Sequence, residues 1–138
     1  MIYQPKKRRA EPEFQHQSAL FTWSRNPTVR RSYPALDLMS CSLNGVKLTA
    51  AQAGKAKAAG MLKGEWDVKL PVMRGCFLGL IIEMKAGRNK LTTEQEWYGK
   101  RMAEEGWKTA VCWDWEDAKA IIIGYMEQDR SHLFMQNG

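Results

Sequence analysis

The sequence has few cysteines and histidines and no long apolar segment, and these shortages exclude several classes of protein. Three cysteines, far apart and odd in number, exclude a fully paired disulfide scaffold. No two of them have the close spacing of a zinc knuckle, and only two histidines stand beside them, which sets a zinc site aside. The longest uncharged apolar run, residues 75–82, is far shorter than the ~20 residues that cross a bilayer. We therefore expect a soluble, cytoplasmic chain without a membrane segment, in which Cys41, Cys76 and Cys112 are reduced thiols buried in strands.

Length and composition are those of one ordinary globular domain. The 138 residues are 44% hydrophobic and 26% charged, which excludes disorder over the whole chain. A chain of this length accommodates one domain with little left over. We predict a flexible basic arm over residues 1–10, a folded domain over residues 11–128 and a polar tail over residues 129–138.

The net charge of +6 conceals a gradient along the chain. Residues 1–90 contain 16 Lys and Arg against 6 Asp and Glu, a net +10, whereas residues 91–138 contain 5 against 9, a net −4. A basic surface favours a polyanionic partner, because each neutralised phosphate releases counterions. If the few acids of the basic part cluster in space, they form an acidic patch surrounded by basic surface, which is the arrangement that a metal-dependent nuclease needs. Those acids are Glu11, Glu13, Asp37, Glu65, Asp67 and Glu83.

Hydrophobic periodicity and turn signals predict helices and strands in a mixed order. The strongest strand is almost continuously apolar, which indicates a central strand that is buried on both faces. The order of elements predicts a mixed α/β domain with helices on both faces of a short sheet. The predicted strands cover residues 36–43, 66–72, 77–85 and 107–113, and the predicted helices cover residues 11–24, 49–60, 92–106 and 114–128.

Two predicted strands place chemistry-bearing side chains at one end of the sheet. The central strand ends in Glu83-Met84-Lys85. Asp67 lies on the preceding predicted strand, which we expect to form a hairpin with the central strand. Side chains alternate along a strand, so Glu83 and Lys85 point to the same face, and Asp67 lies beside Glu83 if the register allows. Two carboxylates held close repel each other unless a cation lies between them, and hard oxygen ligands select Mg²⁺ or Mn²⁺. A neighbouring lysine can then orient or deprotonate the attacking water and offset charge on a phosphate.

Each of these residues also has an ordinary structural explanation. A Glu-x-Lys triplet arises by chance about 0.5 times in a chain of this length if each residue type makes up ~6% of positions. Gln95 lies three residues after Thr92 and would close a capping box, although it also shares a helical face with apolar residues and so points toward the sheet. Glu13 would be a first-turn acid that the helix dipole favours. The positions of these residues taken together favour the nuclease interpretation.

The same residues belong to a longer series of motifs. The series includes Glu13-Phe-Gln-His-Gln17, Gly64-Glu-Trp-Asp67, Gly79-Leu-Ile-Ile-Glu83-Met-Lys85 and Leu91-Thr-Thr-Glu-Gln95. It resembles the virus-type replication-repair nuclease domain (VRR-NUC), a branch of the PD-(D/E)xK nuclease superfamily. The resemblance covers residues 11–126, with the motifs in family order. Further matching segments are residues 19–23, 44–45, 57–60, 105–106, 113–114 and 118–125.

The resemblance implies a fold and a set of metal ligands. The fold would be a restriction-endonuclease-like mixed sheet with helices on both faces. Asp67 and Glu83 would bind Mg²⁺ or Mn²⁺, and the main-chain carbonyl of Met84 would add another oxygen. Glu13 would be the acid that the first helix contributes to the same metal and catalytic site.

The resemblance also implies catalytic roles, with one departure from the family pattern. Lys85 would be the catalytic lysine, and Gln95 would support the catalytic end of the sheet. The family usually has proline before the metal-binding aspartate, where this chain has Trp66. The loss of that proline changes how the strand begins but leaves the carboxylate, so it bears on fine geometry more than on activity.

These residues predict a metal-dependent endonuclease that hydrolyses DNA phosphodiesters, and the resemblance implies that its substrate is branched DNA such as Holliday junctions. Small free-standing members of the family look like junction resolvases, which implies a homodimer, and no small-molecule cofactor is expected. Virus or phage origin, with action in the host cell, fits the same resemblance. Two alternatives stay open, a non-catalytic DNA-binding module on the same fold and a sequence-specific restriction-type endonuclease. Candidate phosphate contacts near strand ends or loops are Lys47, Lys55, Lys63, Arg88 and Lys90.

Overall fold

A four-stranded sheet forms the centre of the chain. The computed structural model describes residues 12–42 and 48–130. Within these ranges the strands follow the order β1 (Ser40–Cys41), β2 (Val68–Leu70), β3 (Leu80–Met84) and β4 (Lys108–Cys112) across the sheet. The pairs β1–β2 and β2–β3 are antiparallel, whereas β3 and β4 are parallel. The predicted hairpin between the second strand and the central strand is thus present.

Helices begin where the sequence supplies caps. The hydroxyl oxygens of Thr49 and Thr92 each accept a hydrogen bond from the main-chain N–H three residues later, and both positions form capping boxes. Asp114 caps the last helix in a similar way. The helices within the described ranges are α1 (Pro12–Ser24), α2 (Pro27–Ser32), a 3₁₀ helix (Pro34–Leu38), α3 (Ala50–Ala58), α4 (Thr93–Glu104) and α5 (Trp115–Met126).

The two faces of the sheet pack against different helices. All five residues of β3 are buried, as the apolar central strand predicts. Leu80, Ile82 and Met84 pack on one face with apolar residues of α1 and α5. Ile81 packs on the other face with Tyr98 of α4. This arrangement confirms the predicted class, an α/β, restriction-endonuclease-like mixed sheet flanked by helices on both faces.

The region before β1 differs from the prediction of a strand over residues 36–43. Pro34 begins the 3₁₀ helix instead, because its fixed φ suits a first helical turn, and the strand is limited to Ser40–Cys41. The short helix α2 was also not predicted. Asn26 accepts a hydrogen bond from the N–H of Thr28, so the Asn26-Pro27 pair that ends α1 also begins a new helix.

The cysteines correct another expectation. Cys112 is buried in β4, and burial raises the pKa of its thiol to about 11. Cys41 and Cys76 are exposed, so the prediction that all three are buried is wrong. The reason is position, since Cys41 lies on the short outer strand and Cys76 lies in the turn between β2 and β3.

Several predicted features lie outside the described residues. These are the basic arm over residues 1–10, the acid Glu11, the matching segment at residues 44–45, the phosphate contact Lys47 and most of the polar tail. In the part of the chain that the structure describes, no helix has both the length and the apolar character that crossing a membrane requires.

Candidate active site

The β2–β3 hairpin brings two carboxyl groups side by side. Val68 pairs with Ile82, so the same register places Asp67 opposite Glu83. The main-chain N–H of Asp67 donates to Oε1 of Glu83 over 3.1 Å, and the N–H of Met84 donates to Oδ2 of Asp67 over 2.9 Å. Each carboxylate is therefore held by the main chain of the opposite strand.

Burial raises the pKa values of both carboxyl groups of this pair. Glu83 is only 2% exposed. Burial, and after it the negative charge of Asp67, raises the pKa of Glu83 to about 8. Burial also raises the pKa of Asp67, against the opposing effect of the hydrogen bond from Met84. Both shifts favour a protonated form of the pair over the doubly ionised form, and a cation at this position would offset the same repulsion between the two carboxylates.

Lys85 and Gln95 complete a closed set of hydrogen bonds around Glu83. Lys85 is 6% exposed, and its Nζ lies 3.5 Å from Oε2 of Glu83. The same Nζ donates to Oε1 of Gln95 over 2.8 Å, while Nε2 of Gln95 donates to Oε2 of Glu83 over 2.9 Å. Gln95 thus orients the ammonium and the carboxylate relative to each other, at the face of the sheet on which α4 packs.

Gln95 also forms the capping box of α4. Its Oε1 accepts from the N–H of Thr92 over 3.0 Å, and its own N–H donates to Oγ1 of Thr92 over 3.2 Å. The capping interpretation and the inward-facing interpretation of Gln95 are therefore both right. The amide can serve both functions because its oxygen accepts two hydrogen bonds while its nitrogen donates one.

Glu13 reaches the same end of the sheet from α1. Its Oε1 accepts from the N–H of Ala86 and from Nδ2 of Asn89, each over 3.2 Å. Its negative charge adds to the effect of burial in raising the pKa of Asp67. Glu13 therefore lies at the border of the site, where it holds the segment that follows β3.

The donor atoms around Asp67 and Glu83 suit a hard divalent cation. The N–H of Lys85 donates to the carbonyl oxygen of Cys112 in β4 over 2.8 Å. Polar main-chain groups of successive strand residues face opposite sides, so the N–H and the carbonyl of Met84 face β2, where Asp67 lies. Two carboxylates and one carbonyl on this side are the oxygen ligands that Mg²⁺ and Mn²⁺ prefer. Among residues 12–42 and 48–130, no group of three or more His, Cys, Asp or Glu side chains forms a metal cluster by itself.

The predicted phosphate contacts are distributed unevenly around this site. Arg88 and Lys90 are exposed in the loop between β3 and α4, directly after the Glu83-Met84-Lys85 segment. Lys63 forms an exposed ion pair with Glu94 at the start of α4, over 3.2 Å. Lys55 is exposed on α3, and no hydrogen bond or ion pair of the described residues links it to the carboxylates. Of the predicted contacts, Arg88 is therefore the nearest in sequence to the site, three residues after Lys85.

Trp66 occupies the position before Asp67 and packs beneath α4. Its indole N–H donates to the main-chain oxygen of Gln95 over 2.8 Å. Gly99, one helical turn further along α4, leaves space for the ring, since an added β-carbon would lie 2.3 Å from it. The indole thus joins the entry of β2 to the helix that carries Gln95.

Sequence reasoning gave no role to two residues at the border of the site, although Trp113 lies in one of the matching segments. Asn89 bonds to Glu13, and the indole N–H of Trp113 donates to the main-chain oxygen of Asn89 over 3.3 Å. Asn89 resembles an ordinary turn residue, and Trp113 follows a strand whose own pattern suggests only burial. The available signal was the position of Asn89, which comes four residues after Lys85 in a loop with two basic residues.

Comparison with known proteins supports the fold. A search of solved structures finds a "VRR_NUC domain protein" that matches this chain with a TM-score of 0.70 and 24% sequence identity. The match covers 87% of this chain and 92% of the other. No protein-family model matches the sequence, and no curated protein does. The chain therefore has the VRR-NUC fold.

Proposed function

We propose that this protein is a Mg²⁺- or Mn²⁺-dependent endonuclease that hydrolyses DNA phosphodiesters. The observation that supports this most is the pair formed by Asp67 and Glu83, held by reciprocal main-chain hydrogen bonds beside the Lys85 ammonium. A buried pair of acids with raised pKa values costs stability, and such costs are typical of functional sites. The VRR-NUC fold supplies the class of reaction.

Each residue of the site has a chemical role in this proposal. Asp67, Glu83 and the Met84 carbonyl would hold the divalent cation, with Glu13 beside them, and the cation would polarise the phosphate and lower the pKa of a water molecule. The Lys85 ammonium orients the attacking water and offsets the negative charge that grows on the phosphate. The water oxygen forms a bond to phosphorus and the water gives up one proton to solvent, one bond from phosphorus to a deoxyribose oxygen breaks, and the leaving oxygen gains a proton from solvent.

The proposed substrate is branched DNA, such as a Holliday junction. Lys55, Lys63, Arg88 and Lys90 are exposed and would contact phosphates, which set the position of the DNA without reading its sequence. The sequence contains no base-reading motif, so selection by DNA shape follows. A homodimer would present two symmetric active sites, which suits paired cuts in a branched substrate.

A cleavage assay on four-way, flapped and linear DNA tests this proposal. In Mg²⁺ we expect cuts in the branched substrates, and Glu83→Gln should slow them by roughly 10³-fold or more because the variant cannot form the anionic pair. The matched control is Glu104→Gln, which changes an exposed acid that pairs with Arg101. Cleavage by Glu83→Gln at the wild-type rate would refute the site.

Binding without cleavage by the wild type would indicate the non-catalytic module, and cuts at fixed sequences in linear duplex would indicate a restriction-type enzyme. A mass measurement in solution tests the dimer.

The two roles of Gln95 can be separated by comparing it with Thr92. Thr92→Ala removes the hydroxyl side of the capping box only, so we expect a loss of about 1 kcal/mol in the free energy of unfolding with cleavage largely retained. Gln95→Leu removes the cap and also the bridge between Lys85 and Glu83. It should therefore lower stability to a similar degree and slow cleavage by roughly tenfold or more. Chemical denaturation and single-turnover kinetics measure the two quantities, and equal kinetic effects of both variants would contradict a positioning role for Gln95.

A further inference from the structure

A tryptophan beside the site keeps a large part of its ring in solvent. Trp113 is 46% exposed and directly follows β4. The main-chain carbonyl of Cys112, the residue before Trp113, accepts a hydrogen bond from the N–H of Lys85. Trp113 therefore lies next to the end of the Glu83-Met84-Lys85 segment. Val111 pairs with Glu83 and Cys112 pairs with Met84, so Trp113 comes directly after the end of β4 that lies beside the Glu83-Met84-Lys85 segment.

The exposed ring is held in a fixed orientation. The indole N–H donates to the main-chain oxygen of Asn89, and Nδ2 of Asn89 donates to Glu13. One edge of the indole is therefore tied to the β3–α4 loop while much of its surface remains accessible. Arg88 and Lys90, on either side of Asn89, are both exposed. An aromatic surface next to positive charge is the combination on which proteins stack the bases of single-stranded nucleic acids.

We propose that the exposed indole of Trp113 stacks on an unpaired base of the DNA beside the phosphodiester that Asp67, Glu83 and Lys85 cleave. This inference rests on the proposed function and narrows its substrate, among branched DNAs, to those with at least one unpaired nucleotide at the cleavage point, such as a flap, rather than a fully paired four-way junction. Inside a paired helix each base already stacks on its neighbours, so the ring gains a partner only where a flap or another unpaired segment frees a base.

Binding measured without metal tests this inference independently of cleavage. In EDTA, fluorescence anisotropy would compare a duplex that carries a single-stranded flap with a blunt duplex of the same length. We expect Trp113→Ala to weaken flap binding about tenfold and to leave blunt-duplex binding within twofold, in line with the loss of one stacked base. Trp113→Phe, which keeps an aromatic ring, should restore flap binding to within about threefold of the wild type.

The chain offers a matched control in Trp97. This residue is 50% exposed on α4, and it lies two residues beyond Gln95, on a different side of the helix. Trp97→Ala should therefore leave both affinities unchanged. A 2-aminopurine placed at the first unpaired position of the flap should lose fluorescence on binding to the wild type and keep it on binding to Trp113→Ala.

The inference and the proposed function fail in different ways. Equal effects of Trp113→Ala on flap and blunt duplex, or no effect on either, would overturn the stacking role, whatever the cleavage assay shows. Failure of Trp113→Phe to restore flap binding would overturn it as well. A selective loss of flap binding in Trp113→Ala together with no cleavage of any substrate in Mg²⁺ would support the stacking site and refute the nuclease.

Discussion

Lys85→Met is expected to slow DNA cleavage by roughly 10²- to 10³-fold while DNA affinity changes by less than about threefold. The ammonium is nearly buried and lies against Glu83 and Gln95, so methionine preserves the packing of the side-chain stem and removes only the charge and its hydrogen bonds. Stabilisation of the charge that develops on the phosphate is lost, whereas binding of the ground state depends mainly on exposed basic residues. Single-turnover kinetics with enzyme in excess measure the chemical step directly.

The control for this prediction is Lys100→Met. Lys100 is an exposed lysine of α4, so its replacement removes the same formal charge from the chain without touching the carboxylates. Cleavage by this variant should match that of the wild type. A Lys85→Met protein that cleaves at the wild-type rate would show that the site chemistry does not depend on this ammonium.

The second large effect concerns metal, pH and stability together. Glu83 has a pKa of about 8 in the fold against an ordinary value of 4.5, so the folded protein binds a proton more tightly than the unfolded chain does. Its contribution to the free energy of unfolding is therefore complete below about pH 4.5 and is lost as the pH rises through about 8. The raised pKa of Asp67 acts in the same direction. The metal-free protein should consequently lose stability over this range.

A divalent cation that replaces the proton should reverse this loss. The rise in Tm on adding Mg²⁺ or Mn²⁺ is expected to be small at about pH 6 and several degrees larger at about pH 8, with protons released on binding. Glu83→Gln should flatten the pH dependence and remove most of the metal effect, whereas the control Glu104→Gln should keep both. A metal effect of equal size at the two pH values, or one that survives in Glu83→Gln, would argue against a cation at this pair.

The part of the site that lies on neighbouring strands could be predicted from the sequence. Alternation along an apolar strand is a local rule, and it places Glu83 and Lys85 on one face without knowledge of the rest of the chain. A short connection between two strands favours a hairpin, and this brings Asp67 to the same end of the sheet. These rules do not give the register, which decides whether the carboxyl groups meet. The structure supplies it through the pairing of Val68 with Ile82.

Other features could not be predicted because they depend on residues distant in the chain. Glu13 bonds to Asn89 across 76 positions, and Trp113 bonds to the same residue across 24. Local patterns describe a first-turn acid, a turn residue and the end of a strand, and none of them indicates that the three meet. The missed 3₁₀ helix has a different origin, since the apolar residues before β1 suit a strand until the proline at position 34 is taken into account.

The close fit between Trp66 and Gly99 has a consequence for how related chains can vary. The indole fills the volume that a side chain at position 99 of α4 would need. Its N–H is bonded to the main-chain oxygen of Gln95 on the same helix. A chain with proline before the aspartate has no ring to accommodate, so alanine or a larger residue is permitted on the helix. Tryptophan at position 66 should therefore occur together with glycine at position 99. In an alignment of relatives, this size compensation would appear as covariation between two columns that are 33 positions apart.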